Sequence, residues 1–271
     1  MKKSASLIVL ILFSIFAIFP VWYILAVSFR GDNAFQVVSW ALWHEGSSLD
    51  NYRTLFTSTL FPIWLRNSVL VSLAVTIIGL AVSATAAYSL SRFRTRGQGM
   101  MMVALLATQM FPATMLLLPF YILLAKLELA NHFGGLLIIY TSTALPFCIW
   151  QMKSWFDTLP KELEEAALVD GCNRFQVFYR VVLPVSGPAM VITGLFQFTT
   201  AWCEYAIAAV VLQDPELYTL PVGLKSFQAS MATEWGLYAA AAVLVSIPVV
   251  ILFTILSRAL ISGLTLGSVK G

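Results

Sequence analysis

Acidic side chains crowd into one short internal segment of this 271-residue chain. Four of its thirteen carboxylates, those of Glu162, Glu164, Glu165 and Asp170, lie within nine residues, between apolar runs long enough to cross a bilayer. No paired cysteine or histidine spacing accompanies them, which argues against a metal centre. So much charge between membrane spans indicates a surface that is presented to a soluble partner.

The residue types around these carboxylates predict a short surface helix. Pro160 suits the first turn of a helix because its φ is fixed, and the acidic residues that follow favour the positive helix N-terminus. Ala166 and Ala167 are small enough for a partner to approach the backbone closely. Gly171 supplies a stop, and Pro184 closes the segment where the next apolar run begins.

Composition places the chain in a membrane. It is 59% hydrophobic and 11% charged, with a mean hydropathy of +0.85, far from the composition of soluble domains. Apolar runs without period-2 alternation predict helices rather than barrel strands. We therefore predict an all-α polytopic membrane protein in one domain, with a segment at 152–184 between the fourth and fifth spans and a tail at 257–271. The predicted spans are 7–29, 69–90, 100–124, 133–151, 185–212 and 237–256.

Basic residues predict the orientation of the spans. With the N-terminus in the cytoplasm, eleven of the sixteen lysines and arginines fall on the cytoplasmic side, and the turn at 91–96 alone carries three arginines. We therefore expect both termini and the acidic segment to lie in the cytoplasm.

The spacing within the acidic segment resembles a known motif. Glu165-Ala166-Ala167, followed by Gly171, Val181 and Leu183-Pro184, closely resembles the EAA loop of ABC-importer permease subunits, which usually have isoleucine in place of Val181. The run 262–271 resembles the tail of maltose-type sugar-importer permeases, as do the segments 220–224 and 233–237. The match extends over essentially the whole chain.

This resemblance implies a six-helix permease subunit of a bacterial or archaeal inner or plasma membrane. Its implied partners are a second, different permease, two ATPase subunits that bind ATP and Mg²⁺, and an external sugar-binding protein, with no nucleic acid. The acidic helix would dock in a cleft on the ATPase. The residues that the resemblance assigns to this coupling are Glu164, Glu165, Ala166, Ala167, Asp170, Gly171, Leu183 and Pro184. Four tail residues would contact the ATPase dimer, namely Gly263, Gly267, Lys270 and Gly271.

The chain contains no Gly-x-x-x-x-Gly-Lys-Ser/Thr phosphate loop, because Gly223-Leu224-Lys225-Ser226 lacks the first glycine at that spacing. We therefore expect no ATPase site and no cofactor of its own, with energy supplied by a separate polypeptide through the acidic helix.

Polar residues inside the predicted spans are the candidates for a substrate pathway. Glu204 is the only carboxylate there, and such a group faces the bundle interior, a cavity or a subunit interface. Trp202 could stack on a sugar face while Glu204 accepts hydroxyl hydrogen bonds; alternatively, Glu204 pairs with polar groups on a neighbouring helix. Gln109 and Gln151 are further candidates. Trp202-Cys203-Glu204 resembles a Trp-Asn-Glu segment of the family, with Cys203 replacing asparagine.

Two other classes of protein remain as alternatives. An ion-coupled secondary transporter or channel would often carry several intramembrane acids and inverted repeats, whereas this chain has one buried carboxylate and no obvious repeat. A membrane enzyme would need converging titratable groups, but His44 and His132 are isolated. The sequence does not specify which sugar is carried.

Overall fold

The computed structural model describes residues 2–31, 41–43, 45–93, 96–228 and 233–266, with side chains placed between residues 6 and 256 of those ranges. These residues are helical apart from turns and one isolated bridge between Arg30 and Ser47. The α-helices are α1 Lys2–Ser28, α2 Asp50–Ser58, α3 Phe61–Arg92, α4 Gln98–Thr108, α5 Leu117–Lys126, α6 Phe133–Thr158, α7 Glu162–Val169, α8 Arg174–Val177, α9 Leu183–Val185, α10 Gly187–Cys203, α11 Ala206–Val211, α12 Leu220–Lys225 and α13 Trp235–Leu266. Short 3-10 turns occupy Ala113–Leu116 and Pro215–Leu217, and a π-helical turn occupies Phe178–Val182.

The predicted all-α membrane fold is confirmed. Four helical stretches in the described residues are long and apolar enough to cross a bilayer singly, namely Ser6–Ser28, Phe61–Arg92, Phe133–Thr158 and Trp235–Leu256. Two helix pairs meet the same requirement only together, Gln98–Thr108 with Ala113–Lys126 and Arg174–Val185 with Gly187–Cys203. The number of spans rises to six if each bent pair is one span.

Several helix boundaries in the structure differ from those that the sequence predicts. Helix α3 begins at Phe61 rather than near residue 69, and α6 continues past residue 151 to Thr158. The run predicted at 100–124 bends by 88° between α4 and the 3-10 turn before α5. Pro112 lies at this bend with ψ of 128°, and the proline ring disfavours a helical conformation at the residue before it.

The run predicted at 185–212 is also interrupted. It enters α10 through an 80° bend next to Ser186, where Gly187 and Pro188 form the first turn of the new helix. Helix α10 stops at Cys203, Glu204 is extended with ψ of 128°, and α11 restarts at Ala206. This second break contains no proline, so side-chain contacts must hold it.

Helix α3 is the centre of the bundle, packing on α6 and on α10. Its small residues Gly79, Ser83 and Ala87 are buried, and a Cβ built on Gly79 would lie 1.5 Å from Oε1 of Gln197 in α10. Helix α3 therefore packs closely against α10 at Gly79. We call the two ends of the bundle the Arg92 end and the Asn67 end, after the residues of α3 that lie there.

The Asn67 end is tied to α3 by buried side chains. Nδ2 of Asn67 donates to the carbonyl oxygens of Glu216 at 2.8 Å and Tyr218 at 3.0 Å, and Nε1 of Trp64 donates to the carbonyl of Pro215 at 2.8 Å. These bonds fix the chain between α11 and α12 to the bundle.

Helix α1 stands apart from this core. It packs against α13, and its side chains from residue 6 to residue 21 are exposed. Its last turn is anchored by a 2.7 Å hydrogen bond between the hydroxyls of Ser28 and Tyr52, and by Nδ2 of Asn51, which donates to the Ser28 carbonyl at 3.0 Å.

Candidate functional site

Helix α7 ends in a turn that requires glycine. The Gly171 N–H donates to the Leu168 carbonyl at 3.1 Å, and the Cys172 N–H donates to the Ala167 carbonyl at 3.0 Å. This pair of bonds is the Schellman motif, whose C′ residue takes a left-handed conformation. Gly171 has φ of +88°, a region that costs a residue with a Cβ about 1–2 kcal/mol. The glycine of the sequence motif is thus explained by backbone geometry.

The chain after Gly171 returns to the bundle through a capped helix. Oδ1 of Asn173 accepts from the Gln176 N–H at 2.8 Å, and Oε1 of Gln176 accepts from the Asn173 N–H at 2.8 Å, which completes a capping box. Helix α8, the π-helical turn and α9 follow without a gap, with Leu183 half-buried and Pro184 exposed. The acidic segment, which we define as residues 160–184, is therefore a pair of short helices joined at a fixed turn.

An apolar cluster holds the acidic segment against α3 and α6. Tyr88 of α3 packs against it, with its ring centroid 4.8 Å from that of Phe178 and 6.0 Å, edge-on, from that of Phe156. The buried members from the segment are Ala167, Val177, Phe178 and Val182, and those from the bundle include Ala84, Ala87, Ile149, Met152 and Phe156. Burial of this apolar surface is what stabilises the segment on the bundle.

The two adjacent glutamates of α7 have different environments. The carboxylate of Glu164 accepts from Nε of Arg92 at 2.5 Å and from the Tyr88 hydroxyl at 2.8 Å, whereas Glu165 is exposed. The side chains of Arg92 and Glu164 are only 8% and 12% exposed. We call Tyr88, Arg92 and Glu164 the Arg92 cluster.

Arg92 also binds the end of α6. Its Nη1 donates to the Phe156 carbonyl at 2.8 Å and to Oγ of Ser91 at 3.0 Å, and its Nη2 lies 3.3 Å from the Leu159 carbonyl. The planar guanidinium can serve these acceptors simultaneously because its donors form a rigid fork. The Arg92 cluster therefore joins the ends of α3 and α6 to the start of α7.

The opposite face of the acidic segment is open. Glu165, Ala166 and Asp170 are exposed, and two apolar side chains stand beside them, Val169 at 88% exposure and Phe175. Protruding apolar side chains bordered by carboxylates resemble the apolar centre and polar rim of a protein interface. Of the residues that the sequence assigned to docking, Glu165, Ala166, Asp170, Gly171 and Pro184 are exposed, Glu164 and Leu183 are half-buried, and Ala167 is buried.

Glu204 holds the break between α10 and α11. Its carboxylate accepts from the Tyr140 hydroxyl at 2.7 Å and from the backbone N–H groups of Ile207 at 2.8 Å and Ala208 at 3.1 Å. A carboxylate at a helix N-terminus satisfies N–H groups that lack a partner within the helix. Of the two sequence readings, this geometry matches the one in which Glu204 pairs with groups of the protein.

Trp202 is enclosed rather than open. It is 1% exposed, its ring stacks on Phe198 at 5.4 Å, and its Nε1 donates to the Val245 carbonyl of α13 at 3.1 Å. A cavity of about 420 Å³ lies beside it, and the exposed side chains of Cys203, Tyr205 and Lys225 line the cavity together with Tyr238. In this conformation Cys203 and Tyr205, rather than Trp202, are open to a ligand next to the break.

The two glutamines lie apart from this cavity. Gln109 is at the bend after α4, where its Nε2 donates to the Thr143 carbonyl at 2.9 Å. Gln151 lies in α6 towards the Arg92 end, and its buried Oε1 has no hydrogen-bond partner among the described residues. The structure therefore does not bring Gln109, Gln151, Trp202 and Glu204 to one site.

Gly263 lies within α13, so the described chain is helical where the sequence predicted a tail. Gly267, Lys270 and Gly271 lie outside the described residues. Among the residues that are described, no three histidine, cysteine or acidic side chains converge as a metal site would require.

Sequence reasoning missed the partners of Glu164. In the sequence, Arg92 is notable only as an orientation signal, and nothing singles out Tyr88. Since Glu164 is 72 residues from Arg92 and 76 from Tyr88, no helical periodicity connects them. The only available signal was a basic residue at the end of a long apolar run, where a carboxylate partner would be useful.

Comparison with known proteins identifies the class. The chain belongs to the family of binding-protein-dependent transport system inner membrane components, whose family model matches residues 77–265. By family it is a permease subunit of a sugar ABC transporter, and it is located in a membrane.

Particular relatives match almost end to end. The trehalose/maltose transport system permease protein MalG of Thermococcus litoralis is 34% identical and is covered over 98% of its length by 100% of this chain. The diacetylchitobiose uptake system permease protein DasC of Streptomyces coelicolor is 34% identical, with 94% of this chain and 92% of that protein covered. In fold, the chain is similar to a bacterial ABC transporter that imports the acidic polysaccharide alginate, with a TM-score of 0.83 over 95% of both chains and 24% identity.

Proposed function

We propose that this chain is the permease subunit of an ABC importer that moves a malto-oligosaccharide, trehalose or a related glycoside into the cytoplasm. The observation that carries the proposal is the open, acidic face of α7, held on the bundle by the Arg92 cluster and turned at a glycine with φ of +88°. Relatives at 34% identity are named for trehalose/maltose and for diacetylchitobiose, which supports a glycoside substrate.

The proposed assembly contains four other subunits. Two ATPase subunits bind ATP and Mg²⁺ and receive α7, a second and different permease completes the pathway, and an external sugar-binding protein delivers the substrate at the Asn67 end. Both termini and the Arg92 end then lie on the cytoplasmic side. Closure of the ATPases on ATP displaces α7, and the bundle changes between inward-facing and outward-facing states.

Co-purification from the native membrane tests the assembly. The tagged chain is expected to bring down an ABC ATPase and a second permease, both identified by mass spectrometry. The complex is then reconstituted in liposomes with its binding protein, and ATP-dependent uptake of radiolabelled maltotriose, trehalose and diacetylchitobiose is measured. Uptake driven by an ion gradient without ATPase subunits would contradict the proposal.

Charge reversal tests the docking face. Glu165→Lys is expected to lower uptake by about tenfold or more, because it places a like or unpaired charge in the interface with the ATPase. Glu162→Lys is the matched control, since Glu162 is exposed on the same helix and lies outside the sequence motif. Wild-type uptake by Glu165→Lys, or equal losses in both variants, would reject docking through the motif.

A further inference from the structure

Helix α7 is bounded on each side by non-helical backbone, and we call these two places its joints. On one side Leu159 is extended with ψ of 130°, and on the other Gly171 is left-handed and Asn173 is extended with ψ of 166°. Between these joints the apolar anchor from α7 is Ala167, whose side chain is a single methyl group. Backbone joints and one methyl group would let a short helix tilt when a partner pushes on it.

The Arg92 cluster restricts this tilting of α7. It fixes Glu164, in the first turn of α7, to the last turn of α3 and, through the Phe156 carbonyl, to the end of α6. The Tyr88 hydroxyl donates to the second carboxylate oxygen of Glu164, so both oxygens have donors. A charged, largely buried pair in which every side-chain nitrogen and oxygen has a partner has little freedom to rotate.

We propose that Tyr88, Arg92 and Glu164 are positioning residues that make α7 move as one body with α3 and α6. This inference rests on the proposed function. It divides two adjacent glutamates of α7 between two tasks, since Glu165 faces the ATPase while Glu164 transmits its motion inward. The three residues contact neither sugar nor nucleotide; they act through α7.

Arginine is required at position 92 for a physical reason. Its three nitrogens reach Glu164, the Phe156 carbonyl and the Leu159 carbonyl, which lie in different directions. A lysine ammonium keeps the charge but is one point on a flexible stem, so it cannot hold the ends of three helices at once.

The test measures sugar transported per ATP hydrolysed by the reconstituted complex. Arg92→Lys and Arg92→Gln are expected to lower this ratio by about tenfold, and Tyr88→Phe by less, because ATPase closure then tilts α7 without moving the bundle. The matched control is Lys153→Gln, which removes a salt bridge to Asp157, 2.6 Å long, at the same end of the bundle and should leave the ratio unchanged.

The ratio separates transmission from mere stability. If the cluster only stabilises the fold, its variants reduce the amount of assembled complex, and transport and ATP hydrolysis fall in proportion. An unchanged ratio in Arg92→Gln would therefore overturn the inference. A wild-type complex that assembles but shows no ATP-driven uptake of any probe sugar would instead refute the proposed function.

A distance measurement provides a second readout. Spin labels are placed at Glu162→Cys on α7 and Thr85→Cys on α3, both exposed positions, in a chain without its native cysteines. With Arg92 present, the distance distribution is expected to be the same without nucleotide and with ATP plus vanadate. With Arg92→Gln it should shift or broaden on vanadate trapping; identical behaviour of both chains would overturn the inference.

Discussion

Removal of the Glu204 carboxylate tests whether this residue serves the fold or the substrate. Glu204→Ala leaves the Tyr140 hydroxyl, which belongs to a side chain 2% exposed, and the N–H groups of Ile207 and Ala208 without their acceptor. A hydrogen bond to a charged group contributes about 1.5–3 kcal/mol, and such contributions are not additive. We therefore expect a total loss of about 3 kcal/mol.

Thermal unfolding in detergent, followed by loss of the monodisperse peak in size-exclusion chromatography, measures this loss. At about 2–4 °C per kcal/mol, the midpoint should fall by about 10 °C. Glu216→Ala is the control, because Glu216 is an exposed carboxylate near the same end of the bundle and its replacement should leave the midpoint nearly unchanged.

Uptake kinetics of the same variants separate the two roles. If Glu204 holds the break, Glu204→Gln should lose stability and transport together, because the amide can accept only part of the hydrogen bonds. An unchanged midpoint in Glu204→Ala, combined with a raised apparent KM for sugar, would refute the structural role and assign Glu204 to the pathway.

Two glycines give further predictions. Gly171→Val should destabilise the chain by about 2 kcal/mol, because a β-branched residue is strained at φ of +88°. Gly187→Val should cost less, since its Cβ would meet nothing within 4 Å. The thermal midpoints of the two variants compare these costs. Gly79→Ala should cost about 1–3 kcal/mol because its Cβ would lie 1.5 Å from Oε1 of Gln197, and Gln197→Ala added to it should recover part of the loss. The matched control is Gly99→Ala, where a Cβ meets nothing within 4 Å, and an equal loss there would contradict the packing argument.

The features that the sequence predicted correctly depend on local chemistry. Long apolar runs can only be helices in lipid, and a glycine after a short acidic helix is a common stop. The turn at Gly171 and the class of fold were therefore readable from neighbouring residues.

The features that the sequence did not predict depend on contacts between distant residues. The break at Glu204 contains neither proline nor glycine, and it persists because Tyr140, on another helix, donates to the carboxylate. Likewise, nothing near Glu164 shows that it faces Arg92 while Glu165 faces outward. Hydropathy measures how apolar a run is, but not where two runs place their polar groups relative to each other.

The packing of α1 on α13 has a consequence for biosynthesis. Helix α1 leaves the ribosome long before α13, so it enters the bilayer before α13 is there to pack against it. Its 23-residue stretch Ser6–Ser28 has a hydropathy of 2.7, enough to be stable alone in lipid, and its docking is left to the end of translation. Packing of α1 on α13 delays completion of the native fold until α13 has been inserted.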